Sequence, residues 1–184
     1  MAANKLIPHH PEELSKLLAL ATGTHSILEI GSRYGETLRQ MALRMDRKSQ
    51  RRVVSIDLPG EPPWGEIDSQ ERLQGVIDGL ADIGVDAHLF LGNSRDPNIV
   101  RAVHRLAPFD LVFIDGDHTY DGARADWLNY GPLGKIVVFH DIIKPQPGER
   151  QELQVWRLWS EIEGDKEAFQ GEGSKMGIGI WRSR

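Results

Sequence analysis

The chain has 184 residues, with 22 basic against 27 acidic side chains, a net charge of −5 and no cysteine. That length suits one domain with a sizeable core, spanning residues 1–184, and is short for two. The acidic balance argues against nucleic acid as the main partner, since phosphate neutralisation needs a basic face. The missing thiol excludes disulfides, thiolate metal sites and thiol nucleophiles, and no apolar run approaches the ~18 residues of a membrane span.

The opening "MAANKLIPHHPEEL" lacks the apolar core of a secretory signal, so the expected home is the cytoplasm. His9 and His10 read there as polar N-terminal residues without metal spacing. "HPEELSKLLALATG" predicts a helix with Pro11 in its first turn, Gly23 at its end, and Leu14, Leu17, Leu18 and Ala21 on one face. "HSILEIG" is a short apolar run stopped by glycine, hence a strand, and "GETLRQMALRM" follows with Leu38, Met41, Ala42 and Met45 at helical spacing. The basic run "RMDRKSQRR" reads as a solvated helix end and loop. "RVVSIDL" is the second strand, broken by "PGEPPWGE"; a weaker helix from about Ser69 to Ala81 leads to the strand "DAHLFLG".

In "DPNIVRAVHRLA", Asp96 is the expected N-cap and Pro97 follows it. Then come the strand "FDLVFID", a helix near Asp121 to Tyr130, the strand "GKIVVFHD" and a helix carrying Val155, Leu158, Trp159 and Ile162. "EAFQGEG" and "KMGIGIW" predict a closing hairpin. Trp156 and Trp159 read as core, and Asp126 as part of a solvated helix face. Strands alternating with helices specify an α/β fold, a doubly wound, mostly parallel sheet with a C-terminal antiparallel hairpin. In such sheets ligands bind beyond the carboxyl ends of the strands, where strand order reverses, so the residues after each strand are the informative ones.

After the first strand stands "EIGSRYGET". Its Gly-x-x-x-Gly spacing, Gly31 to Gly35 with Ser32 between, is not the G-x-G-x-x-G that brings a pyrophosphate onto a helix. Glu29, two residues before the turn, would repel an anion and suits a cation. Asp57, after the second strand, lies where an acid takes ribose hydroxyls. A positively charged nucleoside without phosphate fits both, and S-adenosylmethionine is that molecule. In "LGNSRD", Asn93, Ser94 and Arg95 either line an adenine pocket or form a loop that caps the next helix. Finally "FIDGDHTYDGARADW" empties a core strand into Asp115, Asp117, His118, Asp121 and Asp126. Asp117 and Asp121 read as turn and cap residues. Paired strand-end carboxylates suit a hard divalent ion, which activates a hydroxyl, and an imidazole nearby can take the departing proton.

The ordered set "EIGSRYGET … SIDL … LGNSRD … FIDGDHTY … VVFHD" resembles the class I S-adenosylmethionine-dependent methyltransferases. It is most similar to the metal-dependent O-methyltransferases of the catechol and macrocin types. The resemblance implies a Rossmann-like methyltransferase sheet in which Glu29, Gly31, Ser32, Gly35, Asp57, Asn93, Ser94, Arg95 and Asp115 surround the cofactor. It places a divalent metal, Mg2+ or Mn2+, at Asp115, His140 and Asp141, and catalysis at Asp115 and His118. His140 stands where the family has a carboxylate, and His118 where the catechol type has a lysine base. His118 as a plain loop residue, and His140 as a strand-end residue facing away from the metal, are the alternatives.

The expected activity is methylation of a hydroxyl on a small polyhydroxylated acceptor. The loops "PGEPPWGEIDSQ", with Trp64, and "IIKPQPGER" are expected at the acceptor pocket. The chain is short for this group, so that pocket is expected to be open or completed by a second copy in a homo-oligomer. Two other readings compete. A nicotinamide-dependent oxidoreductase would set a pyrophosphate against Glu29, and a catalytically inactive cofactor-binding scaffold is kept open by His140.

Overall fold

Short runs, most of them apolar, each too short for a stable helix and punctuated by glycine, proline or charge, pair into one sheet. The computed structural model describes residues 9–58 and 69–183. The strands are β1 (Ser26–Ile30), β2 (Arg51–Asp57), β3 (Val85–Leu91), β4 (Phe109–Ile114), β5 (Gly134–His140), β6 (Asp165–Phe169) and β7 (Ile178–Arg182). Their order is β3-β2-β1-β4-β5-β7-β6, with β1 to β5 parallel and the β6–β7 hairpin adding an antiparallel edge. Strand order reverses between β1 and β4, so the crevice for a ligand lies beyond Ile30 and Ile114.

The helices are α1 (Pro11–Ala21), α2 (Glu36–Arg44), α3 (Ser69–Asp82), α4 (Pro97–His104), α5 (Tyr120–Tyr130) and α6 (Val155–Glu161). Alternation along the strands splits the core into two layers. Ile27, Val53, Leu111, Phe113 and Val138 meet Leu17, Leu38, Met41 and Leu80 on one face. Leu28, Val54, Val112, Val137 and Phe139 meet Val103, Tyr130, Leu158 and Trp159 on the other. Each such side chain contributes about 1.5–3 kcal/mol by leaving water. Strands buried on both faces are what a parallel sheet covered by helices requires.

Asp96 caps α4 as expected, accepting from the Asn98 N–H at 2.7 Å. Three local expectations are corrected. Asp126 is not on a solvated face: it lies on the α5 stripe of Ala123 and Tyr130 and is fully buried. The α5 cap is Thr119, which accepts from Gly122 N–H, while Asp117 braces the turn before it and Asp121 sits in the first turn. The basic run is not all loop, because Arg51 is buried in β2 with its guanidinium donating to the Ile83 carbonyl, and Arg52 pairs with Asp86 at 2.7 Å. Trp64 and most of its loop lie outside the described residues. Among the described residues no helix is long and apolar enough to cross a membrane.

Candidate active site

The carboxyl edge of the sheet is stitched together by backbone before any side chain acts. Asp115 N–H donates to the Ile30 carbonyl at 2.9 Å, Gly31 N–H to Ile56 at 2.8 Å, and Gly92 N–H to Asp57 at 2.8 Å. Gly31 is left-handed, with φ +88°, and a Cβ there would collide with the Asp115 carbonyl. The glycine therefore lets the turn after β1 cross directly over the end of β4, which puts the two halves of the site in contact. Gly35, also left-handed, opens α2 and leaves no room for a Cβ against Leu73.

On the β1–β2 side the acids have few partners. Glu29 is buried in β1 and its Oε2 has no hydrogen-bond partner. Burial pushes its carboxyl up to about 8; a hydrogen bond with Ser32 opposes that, and Asp115 and Asp57 reinforce it. Ser32 is itself held by the Ser55 hydroxyl at 2.7 Å. Asp57, at the end of β2, is raised by burial to about 6, with the N–H groups of Leu58 and Arg33 and the Arg33 charge pulling the other way.

The loop after β3 is tied inward. Asn93 Oδ1 accepts from the Arg95 N–H at 2.9 Å, the Ser94 hydroxyl donates to Asp126 at 2.6 Å, and Arg95 reaches Asp117 at 3.3 Å. Burial raises Asp126 to about 6 despite the Ser94 hydrogen bond. Ser94 thus braces this loop against α5, Arg95 ties it to the turn before α5, and Asn93 stiffens the loop itself. Their side chains already have protein partners beside the crevice.

On the β4–β5 side every acid meets an imidazole. His118 Nδ1 sits 2.6 Å from Asp141 Oδ2, and His140 Nδ1 lies 3.2 Å from Asp115 Oδ1 and 3.3 Å from Asp141 Oδ2. Successive strand residues normally point to opposite faces, but Asp141 takes φ 60°, and this break turns its carboxylate back beside His140. Burial alone would raise Asp115 and Asp141. The imidazoles of His140 and His9 outweigh it at Asp115, with His118 adding a smaller pull, and His118 and His140 outweigh it at Asp141, so both acids stay below the ordinary carboxylate range. Conversely, burial would lower the histidines, yet Asp115 and Asp141 push His140 up to about 10 and raise His118 as well. The ligand atoms of Asp115, His118 and Asp141 lie within 4.8 Å of one another, as do those of His9, Asp115 and His140.

The sheet edge thus brings together Asp115, His118, His140 and Asp141, with Glu29, Gly31 and Ser32 adjacent. The acids do not simply repel, as two bare carboxylates would, because histidines intervene. The sequence reading missed His9, whose Nδ1 is 3.2 Å from His140 Nε2, and Glu13, buried in α1 with Oε2 3.9 Å from His140 Nε2. The signal for Glu13 was its spacing, four residues before buried Leu17 on the apolar face of α1.

The sequence profile of a methyltransferase domain family matches residues 28–142. Solved structures share the fold at low identity. An O-methyltransferase from Bacillus cereus, in complex with S-adenosylhomocysteine, superposes with TM-score 0.65 at 18% identity, covering 97% of this chain and 84% of that one. TomG of Streptomyces achromogenes, an O-methyltransferase of tomaymycin synthesis in complex with S-adenosylmethionine, gives 0.63 at 17%, covering 96% and 81%. CalS11, a TDP-rhamnose 3′-O-methyltransferase of calicheamicin biosynthesis, gives 0.66 at 20%, covering 96% and 81%. No curated protein matches in sequence.

Proposed function

This chain belongs to the methyltransferase domain family whose profile spans its residues 28–142, and from that premise we propose that it transfers the methyl group of S-adenosylmethionine to a hydroxyl of a small polyhydroxylated acceptor, with a divalent cation at Asp115 and Asp141. The observation that carries the reading is the His118–Asp141 pair, 2.6 Å apart, beside Asp115 at the point where strand order reverses.

The β1–β2 side fits the methyl donor. A buried carboxylate with an oxygen lacking any partner, Glu29, suits the cationic end of the molecule, and Asp57 suits its ribose hydroxyls. A pyrophosphate would meet the buried Glu29 at a turn that lacks the G-x-G-x-x-G spacing, which disfavours nicotinamide chemistry. The TomG structure holds this donor and the Bacillus cereus structure its demethylated product, and the TDP-rhamnose 3′-O-methyltransferase CalS11 supports a polyhydroxylated acceptor.

In the transfer a carbon–sulfur bond breaks, a carbon–oxygen bond forms, and the hydroxyl proton must leave. His118 takes that proton. Its Nδ1 is committed to Asp141, which fixes the ring and stabilises the imidazolium, and its side chain is 29% exposed toward solvent, leaving Nε2 for the acceptor. Because Asp141 raises His118, the ring is a stronger base than a free imidazole. The donor set also fits a divalent cation: Asp141 Oδ1 is buried without a hydrogen-bond partner, and Asp115 Oδ1 is buried with only the His140 imidazole beside it, at 3.2 Å. Such an ion, when bound, lowers the pKa of the acceptor hydroxyl and orients it. Glu29 and Asp57 hold the donor from the opposite side of the crevice, so alignment comes from two independent grips.

Calorimetric titration tests the cofactor assignment. S-adenosylhomocysteine is expected to bind and NAD to give no heat; binding of NAD with none of S-adenosylhomocysteine would overturn the reading.

A further inference from the structure

His9 stands apart from the groups used so far. It precedes α1, is 131 positions from His140 in sequence, and yet its side chain is only 5% exposed in the heart of the β4–β5 cluster. Its placement is built. Pro11 starts α1 directly behind it, and the Leu14 N–H closes the first turn on the His10 carbonyl at 2.9 Å. Glu13 Oε1 accepts from the N–H groups of Gly171 and Gly177, each at 3.1 Å, which staples α1 to the β6–β7 connection. His10 packs on Gly171, where any side chain would displace it. The His9 ring then stands edge-on to Phe113 at 5.7 Å and to His140 at 4.6 Å.

Two ring nitrogens, His9 Nδ1 and His140 Nε2, face each other at 3.2 Å. Lone pairs that close repel unless a proton or a cation lies between them. His9 Nε2 is also 3.7 Å from Asp115 Oδ2. Around them are buried oxygens with no hydrogen-bond partner: Glu13 Oε2, whose side chain has no exposure, and Asp141 Oδ1, whose side chain is 6% exposed. This is more than a group of acids. It is a buried set of nitrogen and oxygen donors with unmet polar capacity.

We propose that His9 is a metal ligand, delivered by the segment ahead of α1, which with His140 and Asp115 makes a two-nitrogen, one-carboxylate site that selects Mn2+, Co2+ or Zn2+ over Mg2+. The selection follows from donor type: imidazole suits the later first-row ions, whereas Mg2+ takes oxygen and gives up its water reluctantly. The inference rests on the cation part of the function proposed above and adds a ligand from outside the sheet.

Metal-stripped protein would be titrated with Zn2+, Mn2+ and Mg2+ by calorimetry, and the imidazoles around bound Zn2+ counted by X-ray absorption. Wild type is expected to show at least two imidazoles. His9→Gln and His9→Ala should each show one fewer, with Zn2+ and Mn2+ affinity lower by roughly tenfold or more and Mg2+ affinity little changed. Unchanged affinities and imidazole count in both variants would overturn the role of His9 while leaving a cation at Asp115 and Asp141. Absence of any cation binding by wild type would overturn both. Fewer than two imidazoles in wild type refutes the proposal even if neither variant folds.

Discussion

One sheet edge carries two acidic half-sites that behave in opposite ways. Glu29 and Asp57, beyond β1 and β2, are pushed up to about 8 and about 6, chiefly by burial. Asp115 and Asp141, beyond β4 and β5, are equally withdrawn from water yet held low by His140, His118 and His9. All four are carboxyl groups largely withdrawn from water; the difference is the partner. A half-site whose carboxyls are raised by burial suits a cationic, hydroxyl-bearing ligand, whose charge would favour their ionised form. One that carries its own imidazoles is prepared for proton transfer and for a cation that replaces those protons.

The largest expected effect breaks the β4–β5 side alone. His118→Ala should lower turnover roughly 10²–10⁴-fold while leaving S-adenosylhomocysteine affinity nearly intact. Paired steady-state kinetics and calorimetry separate the two; near wild-type turnover would return His118 to an ordinary loop residue. The next effect falls on the other side. Asp57→Ala should weaken S-adenosylhomocysteine binding roughly ten- to a hundred-fold through loss of a charge-assisted contact to the ribose. Since Asp57 ionises near 6, wild-type affinity should fall as pH drops through that value, and the variant's should not.

The smallest effect sharpens the comparison in the absence of ligand. The Glu29 carboxyl is raised in the folded protein from 4.5 to about 8. Its stabilising contribution is therefore complete below pH 4.5 and lost as pH rises towards 8. Glu29→Gln keeps the shape without the charge and should be more stable than wild type at pH 8, by on the order of a few kcal/mol at most. Denaturant melts of both proteins at pH 5 and pH 8 check it: the gap should open only at the higher pH.

The strand-end rule made most of this edge legible. Asp57, Asp115, His140 and Asp141 all stand at the ends of strands that can be read from short apolar runs, and a parallel sheet places such ends together. The sign of each acid's behaviour was not legible, because it depends on contacts made across the chain, such as His9 on His140 from 131 positions away. Glu13 and Asp126 were missed for a related reason. Each interrupts an apolar helical stripe, where a polar residue reads as a surface position, and only the fold shows that Glu13 meets the N–H groups of Gly171 and Gly177 or that Asp126 meets Ser94. The loop after β3 left an adenine pocket and a cap for the next helix open; Asp96 supplies that cap, and Ser94 bonds to Asp126 of α5 instead.

In the proposed reaction the β4–β5 half-site activates a hydroxyl with the help of a bound cation while the β1–β2 half-site holds the methyl donor. Transfer of labelled methyl from S-adenosylmethionine to a panel of catechols and sugars, after exhaustive chelation and again after Mn2+ is restored, tests it most directly. Product is expected only after the ion is returned; full methyl transfer in metal-free buffer would show that the acid–imidazole cluster works without a cation.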